Sequence, residues 1–134
     1  MIAGVGIDIV ELARIRRVLE RQGDRFLRRV FTPAEQEYCR KHRDAAPYFA
    51  ARFAAKEALF KALGTGWAEG ATWLNVEIQR KDSGAPMLVL SGRTQEISVR
   101  LGVQAVHVSM SHSEQSAVAI VVLERSQESG VRSQ

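Results

Sequence analysis

Residues 52–64 read RFAAKEALFKALG and form the most informative stretch of the chain. The stretch predicts the last part of an alanine-rich helix, spanning about 45–63, that ends at Gly64. A helix places residues four apart on one face, so Glu57 and Lys61 are predicted to lie side by side. A carboxylate and an ammonium on one rigid element can bind a metal ion and a phosphate together. The alternative is an ordinary ion pair on a helix surface.

Asp8 interrupts an apolar, β-branched segment that predicts a strand over residues 2–10. A buried carboxylate without a partner is costly, so Asp8 is expected to pair, to bind a cation or to cap the helix that begins near Glu11. Mg²⁺ takes one or two carboxylates and completes its shell with water and phosphate oxygens. Asp8 with Glu57 fits that count. The two carboxylates and the nearby lysine suggest a Mg²⁺-dependent reaction on a phosphorylated substrate.

The remaining pattern predicts short helices and antiparallel strands in one domain. A helix from Glu11 should break near Gly23, and Thr32-Pro33 should begin another that runs to about His42. Strands are predicted over 74–80 and 86–90 as a hairpin, and over 105–112 and 116–124, with a helix over 91–101. Residues 125–134 are polar and expected to be frayed.

Length, charge and cysteine content indicate where the protein is located and what it binds. The chain has 134 residues, a net charge of +4 and a single cysteine, Cys39, so it forms no internal disulfide. No apolar run reaches the roughly 18 residues of a membrane span, and the N-terminus lacks the basic start of a secretory signal. These features predict a cytoplasmic protein with an anionic partner and no membrane association.

Two surfaces are predicted to bind partners. Seven arginines against two acids lie between positions 14 and 29, namely Arg14, Arg16, Arg17, Arg21, Arg25, Arg28 and Arg29. They form either a docking surface for an acidic partner or a solvated face. Residues 117–123 are apolar on both faces of their strand, which predicts self-association.

The segment 107–113 reads HVSMSHS and supplies small hydrogen-bonding side chains. Alternation places His107, Ser109 and Ser111 on one face, while Val108 and Met110 face the core. No third group suggests a Ser/His/Asp triad, and the histidine spacing matches no zinc site. Solvated polar residues on a strand face are the alternative.

Four motifs occur in order along the chain: GVGIDIVE at 4–11, RFAAKEA at 52–58 with Lys61, GTG at 64–66, and HVSMSH at 107–112. Together they resemble the holo-[acyl-carrier-protein] synthases, the small bacterial type of 4′-phosphopantetheinyl transferase. The resemblance extends to about residue 125. It implies an α+β fold with an antiparallel sheet and a long central helix, a transferase domain over 1–125 and a polar tail over 126–134.

The resemblance also implies a reaction and an assembly. The enzyme would move the phosphopantetheine arm of coenzyme A onto a serine of apo-acyl carrier protein, in support of fatty acid biosynthesis, as a homotrimer with active sites between subunits. Asp8 and Glu57 would bind Mg²⁺, and these two with Lys61 would form the catalytic set. The implied coenzyme A contacts are Arg52, Lys56, Lys61, Gly64 and His112. Arg14, Arg21, Arg25 and Arg29 fall near the helix that docks the carrier.

Two rival functions remain. A basic nucleic-acid-binding module explains the arginines, but not carboxylates beside lysines, and the chain lacks aromatic residues spaced for base stacking. A non-catalytic trimeric scaffold that binds coenzyme A is the second rival. The preferred interpretation therefore includes no nucleic-acid partner.

Overall fold

The structure is a computed structural model and describes residues 1–64 and 69–126. The second and third residues of the predicted glycine turn, Thr65 and Gly66, lie outside the described residues, as does the tail over 127–134. No helix within the described ranges is long and apolar enough to cross a membrane.

Within residues 1–64 and 69–126, ten regular elements and one 3₁₀ turn make up an α+β fold, as predicted. In chain order they are β1 Ile2–Glu11, α1 Leu12–Gln22, α2 Asp24–Val30, α3 Pro33–Arg40, α4 Ala46–Leu63, the 3₁₀ turn Trp73–Asn75, β2 Val76–Arg80, β3 Pro86–Leu90, α5 Gly92–Arg100, β4 Val103–His112 and β5 Ser116–Arg125. The predicted helix break falls at Gly23, whose φ of 51° favours glycine. The predicted hairpin is β2 with β3.

The larger sheet has the order β1-β5-β4 and is antiparallel throughout. The long helix α4 packs on one face of it through small residues. A Cβ atom added to Gly4 or Gly6 would overlap the carbonyl oxygens of Ala62 and Ala58. The glycines thus allow the strand backbone to lie against the helix. This close approach brings Asp8 to the last turns of α4.

The opposite face of the sheet has no cover within the described chain. Val5, Ile7 and Ile9 of β1 are 53%, 57% and 68% exposed, and Ile120 of β5 is 39% exposed. Ile7 lies directly opposite Ile120 in the sheet register. The other face of β5 is buried and packs on α4 through Ala117, Ala119, Val121 and Leu123. The doubly apolar strand therefore has one face in the core and one facing outward.

Candidate functional site

Asp8 pairs with Lys61 at the junction of β1 and α4. The Lys61 Nζ atom lies 2.8 Å from Asp8 Oδ1 and 3.0 Å from the carbonyl oxygen of Ile7. The Asp8 side chain is 16% exposed and that of Lys61 is 56% exposed. Helix α1 receives no hydrogen bond from a capping side chain, so Asp8 does not act as a helix cap. The lysine instead neutralises the carboxylate and keeps its ammonium accessible.

Glu57 lies beside this pair, half-buried on the adjoining turn of α4. Burial raises the pKa of Glu57, and the negative charge of Asp8 acts in the same direction. A hydrogen bond opposes this shift, because Trp73 Nε1 donates to Glu57 Oε2 at 3.1 Å. The ion pairs of the described residues include Lys61 with Asp8 but not Lys61 with Glu57, so the simple helix-surface pair does not form.

The two carboxylates suit a magnesium ion. The described part of the chain contains no cluster of three or more histidine, cysteine, aspartate or glutamate side chains that could hold a metal. A closed zinc site is therefore not formed by these residues. Mg²⁺ commonly takes only one or two protein carboxylates and fills its shell with water and substrate phosphates. Asp8 and Glu57, supplied by a strand and a helix, meet that requirement.

A second feature is a cavity of about 300 Å³ between α4 and the end of β4. Arg52, Arg80, Tyr48 and His112 line it, which brings two predicted coenzyme contacts together. The Arg52 side chain is almost fully buried, and its guanidinium carbon lies 4.2 Å from the centre of the Tyr38 ring. Its Nε atom is buried without a hydrogen-bond partner. Two arginines, Arg52 and Arg80, line this cavity, so it offers cationic groups to an anionic ligand.

Lys56 occupies a different place from the one predicted. Its side chain has no exposed surface, and Nζ donates to the carbonyl oxygens of Val30 at 2.6 Å and Trp73 at 3.1 Å and to Glu35 Oε1 at 2.6 Å. Burial lowers the pKa of Lys56, and Glu35 opposes that shift. All three donors of the ammonium are used within the protein, so Lys56 has none left for coenzyme A. Arg52 is likewise almost fully buried, so neither side chain lies on an exposed face of α4.

The last residue of the predicted coenzyme set ends α4. Gly64 has a φ of 82° and donates its N–H to the carbonyl oxygen of Phe60 at 2.9 Å, as a C′ glycine does. The residue is exposed at the end of the helix that carries Glu57 and Lys61. Its contact with a coenzyme stays a prediction.

The predicted docking arginines Arg14, Arg21, Arg25 and Arg29 are exposed on α1 and α2. Two of them border the carboxylates. The positive charge of Arg14 opposes the rise in the pKa of Glu57, and the guanidinium carbon of Arg29 lies 5.9 Å from the centre of a Trp73 ring. The basic surface and the candidate catalytic residues are thus continuous.

Sequence reasoning missed the residues that support the site. The sequence predicts a helix start at Thr32 and Pro33, but not that the Glu35 carboxylate reaches inward to Lys56. Its sequence signal is the Thr32 capping box, which orients the Glu35 side chain toward the helix start. Trp73 follows an irregular segment, and no periodic pattern marks it as a partner of Glu57. Arg80 ends β2, far from Arg52 in sequence.

Comparison with known proteins identifies the family. The model of the 4′-phosphopantetheinyl transferase superfamily matches residues 4–121. The holo-[acyl-carrier-protein] synthase of Koribacter versatilis is 51% identical over 92% of this chain and 99% of its own length, and that of Maridesulfovibrio salexigens is 52% identical over 93% and 100%.

Solved structures agree. The holo-[acyl-carrier-protein] synthase of Neisseria meningitidis aligns with a TM-score of 0.86 at 36% identity, covering 93% of this chain and all of that one. The Helicobacter pylori synthase, solved in complex with coenzyme A, aligns with a TM-score of 0.79 at 34% identity, covering 90% and 99%. The motifs, the fold and these matches agree, and the chain belongs to the 4′-phosphopantetheinyl transferase superfamily.

Proposed function

We propose that this protein transfers the 4′-phosphopantetheine arm of coenzyme A to a serine of apo-acyl carrier protein and releases adenosine 3′,5′-bisphosphate. The observation that carries the proposal is the meeting of Asp8, Glu57 and Lys61 at one end of α4, beside an exposed basic surface. The relatives named holo-[acyl-carrier-protein] synthase support the same activity.

In this mechanism Asp8 and Glu57 would hold Mg²⁺, which neutralises phosphate charge and orients the pyrophosphate when bound. Lys61 places a fixed ammonium beside them, and its 56% exposure lets it reach a phosphate oxygen. The serine oxygen forms a bond to the β-phosphorus, and the bond from that phosphorus to the oxygen bridging the two phosphates breaks. The electron pair of the broken bond leaves with adenosine 3′,5′-bisphosphate.

The serine proton needs an acceptor, and Glu57 is the candidate. Its carboxyl is half-buried, and burial raises its pKa, a direction that favours a carboxylate as a base. The hydrogen bond from Trp73 and the positive charges of Lys61 and Arg14 oppose this rise in the pKa of Glu57. The raised pKa of Glu57 and its place beside Asp8 and Lys61 support it as the candidate base.

The coenzyme and the carrier would use separate surfaces. Arg52, Arg80 and His112 surround the cavity and would bind phosphates of the nucleotide, with Lys61 and Gly64 toward the pyrophosphate. The exposed arginines 14, 21, 25 and 29 would dock an acidic carrier. Charges of this kind mainly accelerate encounter and fix orientation.

The assembly is proposed to be a homotrimer. The uncovered sheet face, with Val5, Ile7, Ile9 and Ile120 exposed, offers an apolar surface that another copy of the chain can cover. The resemblance to the synthase family supplies the number three and the placement of sites between subunits. A cytoplasmic location and a role in fatty acid biosynthesis stay predictions from the same resemblance.

One assay separates this function from its rivals. The protein is incubated with coenzyme A, Mg²⁺ and an apo-acyl carrier protein, and the carrier is weighed by intact mass spectrometry. A transferase adds one phosphopantetheine arm, whereas a coenzyme-binding scaffold or a nucleic-acid-binding module adds nothing. EDTA, Glu57→Gln and Asp8→Asn should each remove most of the product while the variants stay folded. Normal turnover in folded Glu57→Gln would end the assignment of Glu57.

A further inference from the structure

Trp73 lies between the buried interior and the candidate metal ligand Glu57. We propose that Trp73 is a positioning residue that fixes the Glu57 carboxylate, and that the buried Lys56–Glu35 ion pair holds Trp73 in place. The inference rests on the proposed function, because it concerns Glu57 as a ligand of the divalent cation.

The indole of Trp73 makes a direct hydrogen bond to the Glu57 carboxylate. Trp73 Nε1 donates to Glu57 Oε2 at 3.1 Å. The indole N–H is a donor only, so it holds one carboxylate oxygen without competing as a metal ligand. A glutamate has several rotatable bonds, and fixing one oxygen restricts where the other can point. Outer-shell donors of this kind orient metal-ligating carboxylates, and their loss typically costs about 10- to 100-fold in metal affinity or activity.

The backbone of the same residue is hydrogen-bonded as well. The carbonyl oxygen of Trp73 accepts a hydrogen bond from Lys56 Nζ at 3.1 Å, and that ammonium also pairs with Glu35 at 2.6 Å. Glu35 in turn accepts from the backbone N–H of Thr32 at 2.9 Å and of Ile78 at 2.8 Å. The ion pair therefore joins the 3₁₀ turn to α3, α4 and β2. Trp73 is held by its carbonyl on one side and by its indole on the other.

The indole ring of Trp73 also packs against neighbouring side chains. The Phe53 ring centre lies 6.0 Å from that of Trp73, and the Arg29 guanidinium lies 5.9 Å from a Trp73 ring centre. Phenylalanine at position 73 would keep an aromatic ring in this setting while deleting the N–H. Trp73→Phe thus tests the hydrogen bond rather than the packing.

The experiment measures metal binding directly, with Mn²⁺ as the probe. Free Mn²⁺ is followed by electron paramagnetic resonance while it is titrated into the full-length protein, with and without coenzyme A. Trp73→Phe should bind Mn²⁺ about tenfold more weakly than the wild type. The matched control is Phe53→Leu, which changes a contact of the same ring but removes no bond to Glu57. It should keep the wild-type affinity, and circular dichroism checks that both variants fold.

A second variant tests whether the buried Lys56–Glu35 ion pair holds Trp73, and it leaves the indole in place. Glu35→Leu combined with Lys56→Met deletes both charges, so neither is left unpaired in the interior. The double variant should fold yet bind Mn²⁺ more weakly, because the Trp73 carbonyl loses the hydrogen bond from Lys56 and keeps only the one from the Val76 N–H within its own turn. A folded double variant with wild-type Mn²⁺ affinity would show that the ion pair does not position Trp73.

The remaining outcomes separate this inference from the proposed function. If Trp73→Phe keeps the wild-type affinity while Glu57→Gln loses it, Glu57 binds metal without help from Trp73, and only the inference fails. Equal weakening in Trp73→Phe and Phe53→Leu would assign the effect to packing and also overturn it. If Glu57→Gln binds Mn²⁺ as the wild type does, the metal site itself is wrong.

Discussion

Removal of the Glu35 charge should destabilise the protein strongly, although Glu35 lies outside the reaction. Glu35→Gln leaves the Lys56 ammonium in a site with no exposed surface. Breaking a buried pair on one side costs about 3–5 kcal/mol. Two backbone carbonyls still accept from Lys56 Nζ, so we expect the lower end, about 3 kcal/mol. That is a large part of the roughly 5–15 kcal/mol that stabilises a typical domain.

The loss should depend on pH in a defined direction. Burial already lowers the pKa of Lys56, and Glu35 is the largest group that opposes this shift. Without Glu35 the folded-state pKa falls further, while the unfolded chain keeps the ordinary lysine value of 10.5. The unfolded state then binds more protons between the two values, so the stability of the variant rises with pH across that window. The stability lost in Glu35→Gln should be largest below the folded-state pKa of Lys56 and should disappear above pH 10.5.

Urea unfolding followed by circular dichroism, at matched chain concentration and at several pH values, measures the effect. The control Asp44→Asn breaks the exposed ion pair with Arg16 and should leave the midpoint near that of the wild type. Glu35→Leu with Lys56→Met should recover most of the lost stability, since no buried charge stays unpaired. A Glu35→Gln midpoint equal to the wild-type midpoint at every pH would refute the reasoning.

Three further predictions concern the other surfaces. Ile120→Asp places a charge on the uncovered sheet face. Sedimentation equilibrium should then show a mass near one 14.9 kDa chain, and transfer activity should be lost. An unchanged trimer would contradict this prediction. Arg21→Glu with Arg25→Glu should raise KM for the carrier about tenfold, because like charges then repel at the docking surface. KM for coenzyme A should stay unchanged. A parallel rise in both constants would place these arginines in the nucleotide site. Cys39 is fully buried, and burial raises the pKa of its thiol to about 11. An aromatic disulfide reagent at pH 8 should therefore label it only after unfolding. Rapid labelling of the native protein would show that this part of the core opens.

The sequence predicts the elements well because their signals are local. Thr32 and Pro33 mark a helix start, Gly64 marks a helix end, and alternation along β4 places Val108 inward and Ser109 outward, as the structure confirms. The sequence also predicts that Asp8 needs a partner, since a charged residue in an apolar strand is costly, but it does not identify Lys61 as that partner.

The sequence does not reveal which charges of α4 are buried. This helix is rich in alanine, so it has no apolar stripe whose direction would separate its inner face from its outer face. Arg52 and Lys56 therefore resemble solvent-facing cations next to Glu57 and Lys61. Their burial depends on Glu35 and on the 3₁₀ turn, which approach α4 only in the folded chain. Long-range contacts of this kind leave no periodic signal.

Lys56 and Glu57 are neighbours in sequence, yet their side chains serve different parts of the protein. Successive residues of a helix point about 100° apart, so one side chain enters the interior while the next faces the candidate site. Trp73 bridges the two directions, accepting from Lys56 with its carbonyl and donating to Glu57 with its indole. If Trp73 positions Glu57, the Lys-Glu pair is a single unit in which the lysine orders the turn that orients the glutamate. Loss of Lys56 would then weaken metal binding even in a variant whose stability is restored, which a purely structural lysine would not do.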